Sequence, residues 1–364
     1  MSFLQLIINP GSTSTKLALY RDEKELAVSS QPFAAEPGAD LLSQLPARLR
    51  SVRDFLDGEH VALSELDNIM CRGGMLWGLD VGGYRVNEAL AAALADERYT
   101  SPHASQLGGI MGKTLAEEAG ISAYIYDAVT AAKLPPFARI TGFPDIVRNS
   151  SCHVLNMRAM ALRYAAEQGK DLNDLYLIVV HMGGGISTSA FAGGKIVDSI
   201  GDDDGPFSPE RSGFTQIFPI VKLCYSGKYT YEQMKEKMRG AGGLKAYLGT
   251  SDAREIERMI DAGSEKAKLL YHAQAYQISK SIGELSIVHK GKTDAILLTG
   301  GLAYSVRMTD MIAEYCGFIA PIAVYPGEHE MQALAEGGLR ILRGKEQAKE
   351  FSLEDALRNC APVV

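Results

Sequence analysis

Two strand–turn–strand segments, one at the start of the chain and one near its middle, constrain the fold more than any other feature. In the first, the apolar runs at residues 3–8 and 16–20 flank a turn of glycine, serine and threonine. In the second, the apolar run at residues 175–180 leads through consecutive glycines into a further hairpin at residues 189–191 and 195–198. Such patterns predict strands joined by tight turns. Because the device occurs twice, we expect two related lobes.

The rest of the chain alternates short apolar runs with stretches of helical spacing, of which residues 267–288 form a long example. Strands that alternate with helices are typical of α/β proteins. The length of 364 residues corresponds to about two domains of ordinary size. We therefore expect an α/β fold with a separate core in each lobe.

Composition limits the partners and the compartment. Lys and Arg total 37 against 44 Asp and Glu, a net charge of −7, which argues against a nucleic-acid or anionic-membrane partner. No apolar run approaches the ~20 residues that span a bilayer, and the start of the chain does not have the pattern of a signal peptide. The five cysteines are scattered without a CxxC pair. This favours free thiols in the cytoplasm.

The first turn, INPGSTSTK at residues 8–16, combines a glycine, several hydroxyls and a lysine directly after a strand. A bound phosphate requires close backbone N–H groups, hydroxyls and a cation. Ser12, Thr13 and Lys16 are therefore candidate phosphate ligands. The pattern is not a Walker loop, because GxxxxGK[ST] is absent. A polar hairpin turn without a ligand is the alternative.

The second turn, HMGGGIS at residues 181–187, contains three consecutive glycines after a buried strand. Such a run costs chain entropy and usually lets a backbone approach a ligand or turn sharply. The segment from His181 to Gly185 is therefore a candidate ligand contact, and a tight β-turn is the alternative. Two such loops in one chain indicate a phosphate clamp with a part from each lobe.

Two arginines and one aspartate could complete an anion site. Arg72 precedes two glycines after a short apolar run, and could bind a carboxylate bidentately. Arg211 is framed by proline and glycine in GPFSPERSG, where it could stabilise a transferring phosphoryl group. Asp127 ends a short strand and could hold Mg²⁺ through water. The respective alternatives are an exposed arginine, a solvated loop arginine and a helix N-cap.

Two further segments could contact a nucleotide. LLTGGLAYS at residues 297–305 is a strand that opens into a Gly-Gly turn, which could admit an adenosine or simply lead into a helix. SDAR at residues 251–254 precedes a helix, where a helix cap is the simpler interpretation. The candidates are Asp252, Arg254, Gly300, Gly301 and Ser305.

Taken in order, INPGSTSTK, CRGG, HMGGGIS, DGPFSPERSG and LLTGGLAYS resemble the acetate and butyrate kinase family, most closely its butyrate and branched-chain-acid branch, over residues 8 to 305. YRVNEAL, HASQLGG and GEHEMQALAEG strengthen the resemblance. It implies an α/β, duplicated ribonuclease-H-like fold, as in actin-like ATPases, with an interlobe cleft. It also implies an N-terminal lobe of residues 1–150 plus about 335–364, a C-terminal lobe of residues 151–334, and a homodimer or larger homo-oligomer.

The resemblance implies cofactor ligands. Asn9 would lie near Mg²⁺ with Glu328 or Glu330 as the second group, and Lys16 would lie near the phosphates. The ATP or ADP site would be lined by His181, Gly183, Gly184, Gly185, Asp252, Arg254, Gly300, Gly301 and Ser305.

The resemblance also implies catalytic roles and two departures. Arg72 would bind the substrate carboxylate, Asp127 would assist the metal or the acyl group, and Arg211 would stabilise the transition state. After Asp127 the chain reads AVTAAKL, whereas butyrate kinases usually read DPVVVDEL, so the acyl substrate or a lobe contact is expected to differ. Acetate kinases carry a catalytic histidine in FHGTSH. Here RNSSCH aligns His153 with the second histidine, and Arg148 would supply the positive charge.

The implied reaction is R–COO⁻ + ATP ⇌ acyl phosphate + ADP, with a small carboxylic acid as substrate. A carboxylate is already ionised at neutral pH, so no strong general base is needed. Asn9 agrees with this, because sugar kinases usually carry an aspartate there to activate a hydroxyl. The alternatives are a sugar kinase of the same superfamily, and a nucleotide-gated switch that is not an enzyme.

Overall fold

The computed structural model describes residues 2–34, 40–101 and 103–361. The strands in these ranges are β1 Leu4–Pro10, β2 Ser14–Arg21, β3 Lys24–Pro32, β4 Asn68–Arg72, β5 Gly83–Arg85, β6 Ser122–Tyr126, β7 Leu177–Met182, β8 Ile186–Ala192, β9 Lys195–Ile200, β10 Ala295–Gly300, β11 Ile322–Pro326 and β12 Lys349–Glu350. The α-helices are α1 Leu45–Gly58, α2 Glu88–Leu94, α3 Leu107–Ala119, α4 Val154–Glu167, α5 Ile217–Cys224, α6 Tyr231–Met238, α7 Gly243–Leu248, α8 Ala253–Asp261, α9 Glu265–Ser286, α10 Val306–Cys316, α11 Glu330–Leu342 and α12 Leu353–Cys360.

The chain divides into two compact units. Unit 1 comprises Met1–Lys133, Arg139–Asn149 and His329–Val364. Unit 2 comprises Leu134–Ala138 and Ser150–Glu328. Each unit contains one β-sheet.

The sheet of unit 1 has the order β12-β5-β6-β4-β1-β2-β3. β1, β2 and β3 are antiparallel neighbours, whereas β4 and β6 run parallel to β1. All seven residues of β1 are buried, as expected for a central strand covered on both faces. Helix α3 packs against β4 and β6, and α11 packs against β1 and β4.

The sheet of unit 2 has the order β11-β10-β7-β8-β9. β7, β8 and β9 are antiparallel neighbours, and β10 and β11 run parallel to β7. This five-stranded pattern repeats β6-β4-β1-β2-β3 of unit 1 in both order and direction. The α/β fold and its duplication, which the two strand–turn–strand segments predicted, are confirmed.

Helix boundaries follow local signals that the sequence pattern only partly resolved. The helix expected at residues 41–56 begins at Leu45, because Pro46 occupies its first turn and cannot donate to a preceding carbonyl. The helix expected at residues 267–288 begins at Glu265, where the Ser264 hydroxyl accepts the N–H of Ala267. Helix α5 was not predicted, and none of its residues is buried. In the described part of the chain no helix is long and apolar enough to cross a membrane.

Candidate functional site

Polar side chains gather at the carboxyl ends of the parallel strands in unit 1. Asn9 is the penultimate residue of β1, Arg72 ends β4 and Asp127 follows β6. All three are buried. Carboxyl ends of adjacent parallel strands share one edge of a sheet, which is where ligands bind in open α/β sheets. The topology therefore brings together three of the side chains selected from the sequence.

Glu330 at the start of α11 joins two of these groups. Its Oε2 accepts the amide N–H of Asn9 at 2.8 Å, and its Oε1 lies 2.9 Å from Nη1 of Arg72. The guanidinium of Arg72 is buried, while Glu330 is half-buried. A buried arginine held by a partly exposed carboxylate can exchange that partner for a ligand carboxylate at modest cost.

Asp127 has a positive φ of 44°. Its carboxylate accepts the N–H of Gly82 at 2.6 Å, and its own N–H donates to the carbonyl of Gly82 at 3.2 Å. Aspartate tolerates this backbone region better than most residues. The contacts show that Asp127 fixes the segment before β5. Its predicted role towards the metal or the acyl group stays a prediction.

The turn between β1 and β2 leaves Ser12 and Thr13 exposed. Lys16 pairs directly with Asn9 across the antiparallel strands. Because directly opposite residues lie on the same face of a sheet, Lys16 and Asn9 share a face. The arrangement suits an anion, although the contact of these side chains with phosphate remains a prediction.

In unit 2 the equivalent position at the end of β7 is occupied by His181. Its ring stacks on His153 with 3.9 Å between ring centroids, and its Nδ1 lies 2.9 Å from the amide nitrogen of Asn156. On the other side, Nε2 lies 3.5 Å from Oε1 of Glu328. The two acidic residues of GEHE thus have separate partners, since Glu328 contacts His181 and Glu330 contacts Asn9 and Arg72.

Two of the three glycines after β7, Gly183 and Gly185, are explained by side chains packed on their backbone. A Cβ at Gly183 would lie 2.7 Å from Oε1 of Glu328 and 2.9 Å from Nε2 of His181. A Cβ at Gly185 would lie 2.8 Å from Cζ of Arg211. A larger residue at position 183 or 185 would therefore displace the side chains that pack there. A Cβ at Gly184, in contrast, would meet only Glu210, at 3.4 Å.

Arg211 lies against Asp202 in an ion pair, and Asp202 also accepts a bond of 2.8 Å from Arg239. Burial, with the nearby charge of Arg239, lowers the pKa of Arg211 to about 10. The guanidinium therefore stays protonated at neutral pH. A half-buried cation of this kind can interact strongly with an anion because little water screens it.

The loop that carries Arg211 is fixed by Ser208. The Ser208 hydroxyl accepts the backbone N–H groups of Glu210 and Arg211, at 3.3 and 3.0 Å, and donates to the carbonyl of Gly184 at 2.5 Å. One hydroxyl thus ties the arginine loop to the glycine turn. These bonds suit the mount expected from the proline–glycine frame, and the role of Arg211 stays a prediction.

The remaining nucleotide candidates of unit 2 have structural contacts. Asp252 caps α8 by accepting the N–H of Arg254, and it also pairs with the exposed Arg254 guanidinium at 2.9 Å. Ser305 caps α10 and bonds to both Tyr271 and Glu257. The helix cap given above as the alternative for Asp252 is therefore observed, Ser305 is also a helix cap, and a nucleotide contact by these residues stays a prediction.

Three further candidates lie at the end of β10, in the turn after it and in coil. Gly300 exchanges two backbone hydrogen bonds with Gly327, at 3.1 and 3.0 Å, and Gly301 begins the short turn before α10 with open space around it. Arg148 is half-buried in coil and donates its backbone N–H to the carbonyl of Arg139. The proposed substitution of Arg148 for a catalytic histidine stays a prediction.

Few of the side chains that the structure describes could bind the predicted Mg²⁺. Among residues 2–34, 40–101 and 103–361, no group of three or more His, Cys, Asp or Glu side chains is placed to hold a metal ion. Mg²⁺ keeps several waters and often takes only one or two carboxylates besides substrate phosphates. Glu330, together with the amide oxygen of Asn9, fits this small requirement.

Sequence reasoning did not identify Arg48 or Arg239. It also did not identify Asp202 as the partner of Arg211. Asp202 belongs to an acidic triplet, and only the fold shows which member meets Arg211. Arg48 falls on the same helical stripe as Val52 and Leu56, which are buried. An arginine inside an apolar stripe is the signal that could have found it.

A family model described as the acetokinase family matches residues 146–316. A probable butyrate kinase 2 from Caldanaerobacter subterraneus subsp. tengcongensis is 46% identical over 353 residues, which cover 96% of this chain and 99% of that protein. Butyrate kinase 2 from Clostridium acetobutylicum is 43% identical over 356 residues, covering 96% of this chain and 100% of that protein.

Solved structures show the same fold at lower identity. Acetate kinase from Porphyromonas gingivalis superposes with a TM-score of 0.76 at 18% identity, covering 93% of this chain and 100% of that chain. A propionate kinase from Francisella tularensis superposes with a TM-score of 0.72 at 17% identity, covering 92% and 98%. The fold class expected from the sequence is therefore confirmed by structures as well as by topology.

Proposed function

The chain belongs to the acetokinase family, and from this premise we propose that it transfers the γ-phosphoryl group of ATP to butyrate or a branched-chain acid of similar size. Relatives at 46% and 43% identity over nearly the whole chain are butyrate kinases by name. The observation that carries the proposal is the group of Asn9, Arg72 and Glu330, which offers a cation for a carboxylate but an amide where a hydroxyl kinase needs a base.

Unit 1 would hold the acid. Arg72 is buried and already pairs with a carboxylate, that of Glu330, at 2.9 Å. A substrate carboxylate would replace part of the contact between Glu330 and Arg72. Glu330 and the amide oxygen of Asn9 would then be the groups that hold Mg²⁺. Mg²⁺ would neutralise charge on the phosphates. Lys16, Ser12 and Thr13 would contact the same phosphates, and Asp127 would keep the neighbouring segment in place.

Unit 2 would hold ATP or ADP. The glycine turn at residues 183–185 offers backbone groups, and Arg211 supplies a fixed positive charge. The short turn at Gly300 and Gly301 would accommodate the adenosine. Glu328 lies in this unit against His181, so we assign the second carboxylate near the metal to Glu330. The two units would thus be the functional lobes.

The reaction needs positioning more than proton transfer. A carboxylate oxygen of the acid forms a bond to the γ-phosphorus while the bond from that phosphorus to the bridging β–γ oxygen breaks, which leaves an acyl phosphate and ADP. No proton moves, because the nucleophile is already an anion. Arg211 would stabilise the charge on the transferring group, which is the usual contribution of such an arginine.

The two alternatives lack comparable support. A sugar kinase requires a group that accepts a hydroxyl proton, and Asn9 cannot do so at neutral pH. A nucleotide-gated switch has no need of the second anion site at Arg72. The sequence relatives also carry names of carboxylate kinases over nearly their full lengths.

We place the enzyme in the cytoplasm as a homo-oligomer. Its five cysteines are all free thiols, which suits a reducing compartment. Helix α5 exposes Ile217, Phe218 and Val221, and Tyr225 follows it, also exposed. An apolar face of this kind marks a protein contact, for which we propose a second copy of the chain. Sedimentation analysis of the purified protein gives the subunit number.

One assay tests the function and measures the acyl length. The protein is incubated with ATP, Mg²⁺ and hydroxylamine together with acetate, butyrate, isobutyrate, 2-methylbutyrate or hexanoate, and acyl hydroxamate is measured. We expect the four- and five-carbon acids to give the highest kcat/KM. Glucose serves as the control for a hydroxyl kinase. ADP release with glucose, or slow ATP hydrolysis that no acid stimulates, would exclude the proposed function.

A further inference from the structure

Arg48 is a fully buried arginine behind the turn that connects β1 and β2. It lies on α1, and its relative exposure is 0%. Arginine is almost never fully buried unless it is paired, because its hydration is lost on burial. The position of Arg48 therefore requires an explanation from its contacts.

All five N–H donors of Arg48 are used. Nη1 donates to the carbonyl of Ser14 at 3.2 Å and to the hydroxyl of Thr15 at 2.7 Å. Nη2 donates to the carbonyl of Gly11 and to Oε1 of Gln44, both at 2.9 Å. Nε donates to the same Gln44 oxygen at 3.1 Å. Three of the five bonds therefore end on the turn and on the first two residues of β2, Ser14 and Thr15.

The positive charge of Arg48 has no carboxylate beside it in the part of the chain that the structure describes. Its hydrogen-bond partners are carbonyl, hydroxyl and amide oxygens, and its guanidinium lies 4.1 Å from the ring centroid of Phe33. Burial lowers the pKa of Arg48. Burying a charge beside neutral groups alone is unfavourable. The charge of Arg48 is therefore not neutralised by its neighbours, and it can attract an anion that binds nearby.

The bonds to Arg48 also orient the turn. A trans peptide directs its C=O and the following N–H in opposite directions. Because the carbonyl of Gly11 points to Arg48, the N–H of Ser12 points away from it. The side chains of Ser12 and Thr13 are exposed. Arg48 thus directs carbonyl oxygens inwards and leaves donors on the outer side of the turn.

We propose that Arg48 is a positioning residue for the turn at residues 11–15, which it holds with donors outwards, and that its buried charge strengthens the attraction of this turn for a phosphate group. The second part rests on the proposed function, in which the turn contacts ATP. The first part concerns the ligand-free protein and can be tested separately.

The variant Gln44→Glu separates the effect of the positive charge of Arg48 from the effect of its hydrogen bonds. The variant keeps an acceptor oxygen for Nε and Nη2 of Arg48 but adds a negative charge next to the guanidinium. Unfolding temperature should be unchanged or higher, since an acid near the start of α1 is favourable. Affinity for ATP should fall by about tenfold, because the field at the turn is neutralised. Gln347→Glu, the same charge change at an exposed position, should leave ATP affinity unchanged.

Arg48→Gln and Arg48→Lys test the bracing. Hydrogen exchange of amides at residues 11–15 in the ligand-free protein should be about 30-fold faster in Arg48→Gln, because several charge-assisted bonds are lost, and intermediate in Arg48→Lys. Arg53→Gln is the matched control, since Arg53 lies on the same helix but pairs with Glu118 at the surface. Its exchange and ATP affinity should equal those of the wild type.

The outcomes distinguish the two claims. If Gln44→Glu and Arg48→Lys both bind ATP like the wild type and the turn amides exchange at wild-type rates, the role of Arg48 is refuted. If Arg48→Gln does not fold, Arg48→Lys and Gln44→Glu can still refute the role of Arg48. If the wild type forms no acyl phosphate from any acid, the proposed function fails, while the exchange rates still report on Arg48.

Discussion

The turns after β1 and β7 occupy the same place in their two units, but they offer a ligand different kinds of group. In the first turn Ser12 and Thr13 carry hydroxyls, and Arg48 braces the turn from the inner side through the carbonyl of Gly11. Residues 183–185 carry no side chains, and Arg211 lies against the backbone of Gly185. One turn supplies ligand groups itself, whereas the other admits groups held by neighbouring segments. The same strand order can therefore support two chemically different anion contacts.

The difference extends to the penultimate residue of the strand before each turn. Asn9 in unit 1 contacts Glu330, and His181 in unit 2 contacts Glu328. The unit 1 group includes Arg72 and can receive a second carboxylate, whereas the unit 2 group joins a histidine stack to the glycine turn. Substitutions in unit 1 should therefore alter use of the acid, and substitutions in unit 2 should alter phosphoryl transfer or the fold of unit 2.

The largest effect is expected for Arg211→Ala. The loss of a fixed cation at the transferring group should lower kcat by about 10³-fold, with little change in KM for ATP. Asp202 keeps Arg239 as its partner, so the fold should survive. Steady-state kinetics with butyrate measure the effect. Arg258→Ala, at an exposed position of the same unit, is the control. Wild-type kcat in Arg211→Ala would remove this residue from the reaction.

Arg72→Ala should act on the acid instead. The loss of a buried charge-assisted contact corresponds to about a 10- to 100-fold rise in KM for the carboxylate, with a smaller change in KM for ATP. Initial rates at varied butyrate concentration measure it, and Arg85→Ala on β5 is the control. An equal rise in both KM values would contradict the division of roles between the units.

Local signals explain how much of this arrangement the sequence could predict. The runs at β1 and β7 and their glycine turns are visible because strand and turn signals lie within a few residues of each other. The division between Glu328 and Glu330 is not visible, since it depends on where β11 ends relative to β7 and on how α11 packs on β1. Arg48 was missed because a charged residue type is expected at the surface, although its spacing from Val52 and Leu56 places it on the buried stripe of α1.

Gly185→Ala tests whether the glycine turn after β7 is needed to make room for the neighbouring side chains. The new methyl group would meet Cζ and Nη1 of Arg211 at 2.8 Å and Oδ2 of Asp202 at 2.9 Å. The protein should lose about 1–3 kcal/mol of unfolding free energy, and kcat should fall because the guanidinium moves. Urea unfolding and steady-state kinetics measure both effects.

Gly184→Ala is the matched variant in the same turn, because its Cβ would meet only Glu210 at an ordinary distance. It should unfold within a few tenths of a kcal/mol of the wild type. If the two variants are equally destabilised, the glycines serve the backbone conformation of the turn, and the packing of Arg211 on it is not their reason.

A smaller effect than that of Gly185→Ala is expected for Ser305→Ala, which decides between a helix cap and a nucleotide contact. The hydroxyl accepts the N–H of Met308 and the hydroxyl of Tyr271, both at 3.0 Å, and also bonds to Glu257. Its loss should cost about 1 kcal/mol. Ser264→Ala removes a cap of α9 without these side-chain bonds, so it should cost less. Thermal unfolding and KM for ATP are measured for both. A raised KM in Ser305→Ala at unchanged stability would assign this hydroxyl to the nucleotide, whereas lower stability at unchanged KM would leave it as part of the frame of unit 2.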